Sequence, residues 1–436
     1  PGRPALKKTL LSTAALALGL SAPLAAHERH ACVDAACTMT SLFAEGDAGA
    51  GTGAVAAQRY GTWGMDTDGM DRSVDPGTDF FAYASGRWAT QTQIPADQSS
   101  YGAFRVLRDL SEQRVRALVE GYAEGDPASD GDAAKIAALY RGFMDEAAVE
   151  ALGAQPLQPL LADIRAAGDH AALARLMGGR GGLHASFFNL SVSDDQRDPD
   201  RYTLYLSQGG LGLGDREMYL RETFAEQRAR YEAYIAQMLM LAGWERPAEN
   251  AKAILAMETR LAEAHWTRAE SRDRDKTYNP HALDAFAAHA PGFDWPVFFR
   301  AAGVDHARQA VVRQDSAIPK MAAIFADTDP ATLRAWQAFH TTDRAAPLLS
   351  EAFVQAHYEF RNKFLSGQPE LQERWKRGVA LVEGTMGEAV GRDYVALYFP
   401  PDAKAKMDAL VANVKAAMGA RLDALEWMGA DTKAEA

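Results

Sequence analysis

The chain has 436 residues, 47% of them hydrophobic and 9% aromatic, and its 46 Lys and Arg stand against 58 Asp and Glu for a net charge of −12. That apolar share excludes a collagen-like or disordered chain, and an acidic balance without a long basic run argues against nucleic acid as the main partner. A mean hydropathy of −0.26 and the lack of a long internal apolar stretch exclude a multi-span membrane protein, while the length suits two domains or one large one.

The first residues read as an address. Arg3, Lys7 and Lys8 precede an apolar run from Leu10 to Leu20, and small residues lead on to Ala25 and Ala26. This order predicts a secretory signal peptide over residues 1–26, since the run is too short for a comfortable transmembrane helix. The expected location is therefore periplasmic or extracellular, with membrane association left open. Residues 27–62 follow as a flexible linker, rich in Gly and Ala from Ala44 to Ala57. Cys32 and Cys37 fall here. In an exported chain they could form one local disulfide; two surface thiols in a tail is the competing reading.

From about Trp63 the composition becomes globular, and helical periodicity dominates. Helices are predicted at Val106 to Tyr122, Ala133 to Met144, Leu157 to Arg165, Ala171 to Met177, Ala225 to Gly243 and Ala248 to Trp266. Further ones follow at His281 to His289, Ala331 to Phe339, Ala352 to Leu365, Leu371 to Val390 and Ala403 to Trp427. One interruption reads as strand: Leu183 to Val192 and Tyr202 to Ser207 flank a polar turn, which predicts a β-hairpin. The fold class is mainly α, a large multi-helical lobe with a small β-hairpin. The last helix carries Met407, Leu410, Val411, Val414, Met418, Leu422 and Leu425 on one stripe and stops at Gly429. Thr432 and Glu435 then have the spacing of a capping box.

Chemistry is harder to find. A helical metal site of the His-Glu-x-x-His kind needs two histidines four apart, and no histidine from His170 onward has such a partner. His27 and His30 lie in the linker with no rigid scaffold behind them, so they offer adventitious metal contacts at most. No Gly-x-Ser-x-Gly elbow or phosphate-binding loop occurs. The string Asp66, Asp68, Asp71, Asp75 and Asp79 lacks the glycine and oxygen spacing of a calcium loop and reads as solvated turn residues.

Several blocks nonetheless resemble the neprilysin-like zinc metallopeptidases, the neprilysin and endothelin-converting-enzyme family, in a bacterial-type form. Gly69 to Trp88 resembles the family's opening signature, and Ile94 to Asp97 with Tyr101 to Phe104 continue it. Gln208 to Arg216, followed by Tyr219 and Leu220, is similar to the family's Gln-x-Gly-Leu-Gly-Leu-Pro-Asp segment, with Gly214 where proline is usual. Arg374 to Arg377, Gly387 to Gly391 with Tyr394 and Val395, and Trp427 onward resemble later blocks, all in family order.

The resemblance implies the N-terminal part of an exported zinc metalloendopeptidase that cleaves short peptides. Its thermolysin-like catalytic half, with the zinc and every zinc ligand, would lie outside these residues, so the cofactor is zinc but none is expected in this chain. No catalytic or metal-binding residue is thus carried over, and the expected partners are short peptide substrates and the chain's own catalytic half. Substrate-facing residues would include Ser100, Tyr101 and Phe104, with plain core packing of Tyr101 and Phe104 as the competing reading. Ser100 and Arg105 stand where the vertebrate pattern has Arg and Asp, which favours endopeptidase action over release of C-terminal dipeptides. Gly77 and Ser85 stand where vertebrate members carry cysteines, so this core must hold without those bridges. The alternative, from a different class, is a non-catalytic helical protein that binds peptides.

Overall fold

The computed structural model describes residues 66–125, 131–179 and 183–436; the predicted signal peptide, the linker and both cysteines lie outside them. Two units result. One takes the described residues up to Met144 together with Gln372–Ala436, and the other is the stretch Asp145–Leu371 that separates those two segments in sequence.

The first unit opens on the acidic string, and each aspartate has a local task. Asp66 accepts from the backbone N–H groups of Asp68 and Gly69, Asp71 from Ser73 and Asp75 from Gly77, all side-chain turns. Asp79 caps helix α1 (Phe80–Gln91) by accepting from the Ala82 N–H at 2.9 Å. Helices α2 (Ala103–Glu124) and α3 (Asp132–Met144) follow. They bury Val115, Leu118, Val119, Tyr122, Ile136, Ala137 and Tyr140 against residues that arrive only after the second unit is complete.

In the second unit, α4 (Glu146–Leu152), α5 (Gln158–Ala166) and α6 (His170–Gly178) lead to strands β1 (Phe188–Asp195) and β2 (Asp198–Gln208). Then come α7 (Arg216–Leu220), α8 (Ala225–Leu241), α9 (Pro247–Ala264), β3 (Asn279–Ala282), α10 (Phe286–His289) and α11 (Trp295–Ala302). Strand β4 (Gln309–Val312), α12 (Ala317–Asp327), α13 (Pro330–Ala345) and α14 (Glu351–His357) complete it.

The predicted hairpin forms, with a turn of only Gln196 and Arg197, but it is part of a four-stranded sheet in the order β1-β2-β4-β3. Strand β4 runs parallel to β2, with Leu204 opposite Ala310, and β3 pairs antiparallel to β4. Both added strands have four residues, too few for alternation to show in the sequence. The predicted helix from His281 is corrected accordingly: His281 lies in β3, and only Phe286–His289 is helical. Beside the sheet lies a core rich in aromatic rings, in which Phe188 meets Trp295 at 4.5 Å between centroids and Phe187 meets Trp336 edge-on at 5.0 Å.

The chain then returns to the first unit. Helix α15 (Arg374–Tyr398), kinked at Met386, supplies Val379, Val382 and Val390 to the core of α2 and α3. Arg374 donates twice to the Phe143 carbonyl, closing the last turn of α3. Helix α16 (Pro401–Asp423) has the predicted apolar stripe, yet Met407, Leu410, Val411, Val414 and Met418 are between 49% and 61% exposed. The capping box expected at Thr432 does not form. Helix α17 (Ala430–Glu435) begins at Ala430, with extended Gly429 as its cap, so Thr432 sits inside the helix. No described helix is long and apolar enough to cross a membrane.

Candidate functional site

The segment Gln208 to Asp215 turns the chain from β2 into α7, and its geometry follows from an unusual number of side chains gripping its backbone. The Gln208 amide bonds both ways with the Trp266 backbone, accepting from its N–H at 2.8 Å and donating to its carbonyl at 3.1 Å. Gln314 accepts from the Gln208 N–H, and His265 donates to the Gly209 carbonyl at 3.0 Å. Tyr219 accepts from the Leu213 N–H, and Asp215 caps α7.

Two glycines are required here. A Cβ on Gly212 would lie 1.7 Å from the Tyr231 hydroxyl oxygen. Gly214 has φ +77°, a conformation closed to proline, whose ring holds φ near −65°. The departure from the family pattern at this position is thus built into the backbone.

Beneath the segment lies Glu258, on α9 and fully buried. Its carboxylate accepts from the Tyr219 hydroxyl at 2.6 Å, the Tyr231 hydroxyl at 3.0 Å, Trp336 Nε1 at 2.9 Å, His340 Nε2 at 2.8 Å and the Gly212 N–H at 3.3 Å. A buried carboxylate is tolerated only when its lone pairs are filled in this way. Burial, then the Glu258 charge, pushes the Tyr219 and Tyr231 hydroxyls well above their ordinary values, so both stay protonated donors.

An ion pair adjoins this network. After α14 the helix widens by one residue per turn over Tyr358–Phe364, which aims Arg361 inward. Arg361 forks onto Asp343 with contacts of 2.6 and 3.3 Å and donates to the Gly212 carbonyl at 2.5 Å, while Tyr234 donates to Asp343. Burial alone would raise the Asp343 carboxyl, but the Arg361 guanidinium and these hydrogen bonds hold it below its ordinary value. Gly212 therefore joins the Glu258 network to this pair, its N–H to Glu258 and its carbonyl to Arg361.

The other side of the segment is open. Ala185, Ser186, Asn189, the segment itself, His265 to Ser271 and the α13 residues Trp336, His340 and Arg344 line a pocket of about 380 Å³. Three arginines stand in its lining. Arg216 pairs with Glu217, Arg268 pairs with Asp215, and Arg344 donates to the His184 carbonyl. Burial pushes the His265 imidazole down to about 4, so it is a neutral donor at pH 7. The two pocket histidines each use Nε2 within the wall, His265 on the Gly209 carbonyl and His340 on the Glu258 carboxylate. The arrangement suits holding a small polar or anionic group.

The residues expected to face substrate lie in the other unit, at the start of α2. Ser100 is exposed, Tyr101 is half-buried, and Phe104 is 90% exposed, so Phe104 is no core residue here. The sequence lacks the His-Glu-x-x-His pair of the zinc site that the resemblance implies. The spacing test did miss one convergence. Among the described residues, His281, His289 and Asp315 form a group of three potential ligands, brought together by β3, α10 and the turn after β4.

This helical scaffold, with its gripped Gln208 to Asp215 segment, is that of a zinc-metallopeptidase N-terminal region. Residues 76–436 match the N-terminal domain model of peptidase family M13, and the chain belongs to that family. It is 28% identical over 390 residues to endothelin-converting enzyme-like 1 of Rattus norvegicus, covering 84% of this chain and 49% of the relative. To endothelin-converting enzyme 1 of Bos taurus it is 27% identical over 385 residues, covering 84% and 50%. The chain thus spans about half the length of the curated relatives it matches.

Among solved structures, the zinc metalloprotease ZMP1 of Mycobacterium tuberculosis in complex with inhibitor is similar at TM-score 0.79 and 35% identity, over 85% of this chain and 57% of that one. PepO of Lactobacillus rhamnosis shares the fold at TM-score 0.70 and 20% identity, over 83% and 57%.

Proposed function

We propose that this chain is the N-terminal portion of an exported zinc metalloendopeptidase that hydrolyses short peptides, and that it is inactive by itself. The observation that carries the reading is the family match from residue 76 to residue 436, which corresponds to about half of each peptidase it resembles. The signal-like order of charge and apolar residues over 1–26 supports export to the periplasm or beyond. The exposed stripe of α16 supports an apolar partner surface, which in this reading is the chain's own catalytic half. Ser100, Tyr101 and Phe104 would then face the substrate cavity, with zinc and its ligands supplied by that half.

The test is cleavage of quenched fluorogenic peptides by this chain alone and by the chain extended with the catalytic half of a family member. Cleavage by the extended form only, abolished by a chelator, is the expected result. Cleavage by the chain alone, or resistance to the chelator, overturns it.

One observation favours a second reading, a non-catalytic peptide-binding protein: the pocket beside Gly209 and Arg344 is lined by polar groups that could hold a peptide backbone. Saturable binding of short peptides to this chain, lost on Arg344→Ala and unaccompanied by activity in the extended form, would move that reading to the front.

A further inference from the structure

Away from the pocket, three side chains from three elements converge. His281 Nε2 lies 2.7 Å from Asp315 Oδ1. His289 Nε2 lies 3.2 Å from the same oxygen but is not aligned to hydrogen-bond with it, which leaves a buried nitrogen without a hydrogen-bonding partner. The two imidazole rings face each other at 3.9 Å between centroids, tilted by 33°. Phe286, fully buried, packs edge-on against both, at 5.9 Å from His281 and 5.5 Å from His289. That ring holds the imidazoles in place from the core side, while all three polar side chains remain 21% to 36% exposed.

A metal-free account of this cluster is poor. One carboxylate oxygen can accept from both rings, yet the observed geometry satisfies only His281. The His289 Nε2 is thus left beside a carboxylate without a hydrogen bond to it.

The distances suit a cation of a particular kind. Ligand atoms around a tetrahedral zinc, with bonds of about 2.0–2.1 Å, stand roughly 3.3 Å apart. The three potential ligand atoms here all lie within 4.8 Å of one another. Small side-chain rotations bring them onto one ion. Two imidazole nitrogens and one carboxylate disfavour calcium and magnesium, which take oxygen ligands, and favour zinc-like transition metals.

We propose that His281, His289 and Asp315 form a divalent transition-metal site of the zinc type, with three protein ligands and water completing the coordination. The site stands whether or not the reading as a peptidase half is right. The bound ion clips β3, α10 and the turn after β4 together. Asp315 lies between Gln314, which holds the Gln208 N–H, and Ser316, which accepts from the Trp266 indole at 2.9 Å. The clip thus fixes the far ends of two contacts that shape the pocket wall.

The experiment is calorimetric titration of zinc ion alone, with cobalt(II) absorption as a spectroscopic check. The 436-residue chain is used with His27, His30, Cys32 and Cys37 replaced by Ala or Ser, so that the tail contributes no ligands. One equivalent of zinc should bind, with the intense d–d absorption of four-coordinate cobalt. Removing a direct ligand should cost at least the roughly 100-fold that losing an outer partner can cost, so His281→Ala and His289→Ala should each weaken binding about 100-fold or more. Asp315→Asn, which keeps the side-chain shape, guards against a folding artefact and should give the same loss with an unchanged far-UV circular dichroism spectrum. No binding by the parent chain, or affinity unchanged in the three variants, overturns the site.

Discussion

Glu258 and His340, from helices α9 and α13, meet at 2.8 Å in the floor of the second unit, with the carboxylate fully buried. Four other donors fill the same carboxylate, and three of them are Tyr219, Tyr231 and Trp336 side chains. Removing the acceptor leaves all of them without a partner. Glu258→Leu should therefore cost about 3 kcal/mol or more of stability, since each buried donor left unpaired costs about 1–3 kcal/mol. Glu258→Gln should also be costly, because its amide places N–H groups against donors. Urea unfolding followed by tryptophan fluorescence measures both, and a change near zero would show that the network contributes little.

Gly212 offers a steric test. Gly212→Ala forces a Cβ into the Tyr231 hydroxyl, and overpacking of this kind costs about 1–3 kcal/mol or more. Tyr231→Phe removes the nearest atom, so the double variant should recover part of the loss relative to the sum of the single ones. Strict additivity in the cycle would mean that the two positions do not touch.

His265 sets a pH dependence. Its folded value is pushed down to about 4 by burial, against 6.5 for the free side chain. The unfolded state takes up the proton first, so stability falls as pH drops from about 6.5 toward 4, by up to about 3 kcal/mol from this group. His265→Gln keeps a donor for the Gly209 carbonyl and should flatten that part of the profile. Urea midpoints measured between pH 4 and 7.5 decide it. A variant with the same slope as the parent would remove His265 as the cause.

The stripe on α16 gives a fourth prediction. Replacing Leu410, Val414 and Met418 with Lys or Glu should leave the helical content unchanged and lower both dye binding and aggregation of the isolated chain. If the stripe were needed for the core of its own unit, the same substitutions would reduce stability instead. Denaturant midpoints separate the two.

Much of this was readable in the sequence where periodicity ran long. Helices α2, α3, α8 and α9 fall within a few residues of their predicted limits, because their apolar positions recur at three and four over many turns. Glu258 was legible in principle. It occupies the apolar stripe of α9, four residues after Ile254 and three before Leu261, where an acid needs partners. Strands β3 and β4 were not, since four residues in a parallel and antiparallel ladder leave no pattern. The His281, His289 and Asp315 cluster was hidden for the same reason: its spacing is set by tertiary pairing of those short strands rather than by one helix face. The resemblance to a peptidase family came from short ordered blocks such as Gln208 to Arg216, and the structure shows why that block is so constrained, gripped on its backbone from several sides.

The divided first unit has a consequence for how the protein is made. Its core joins Val115, Leu118 and Tyr122 to Val379, Val382 and Val390, and the whole second unit is synthesised between them. On a ribosome, α2 and α3 emerge with their apolar faces uncovered and must wait for α15, while the inserted stretch already has everything its own core requires. Closure of this long loop is the non-local step that sets the pace of folding. Nascent chains halted before residue 372 should hold a protease-resistant second unit tethered to a pair of helices still open to chaperones.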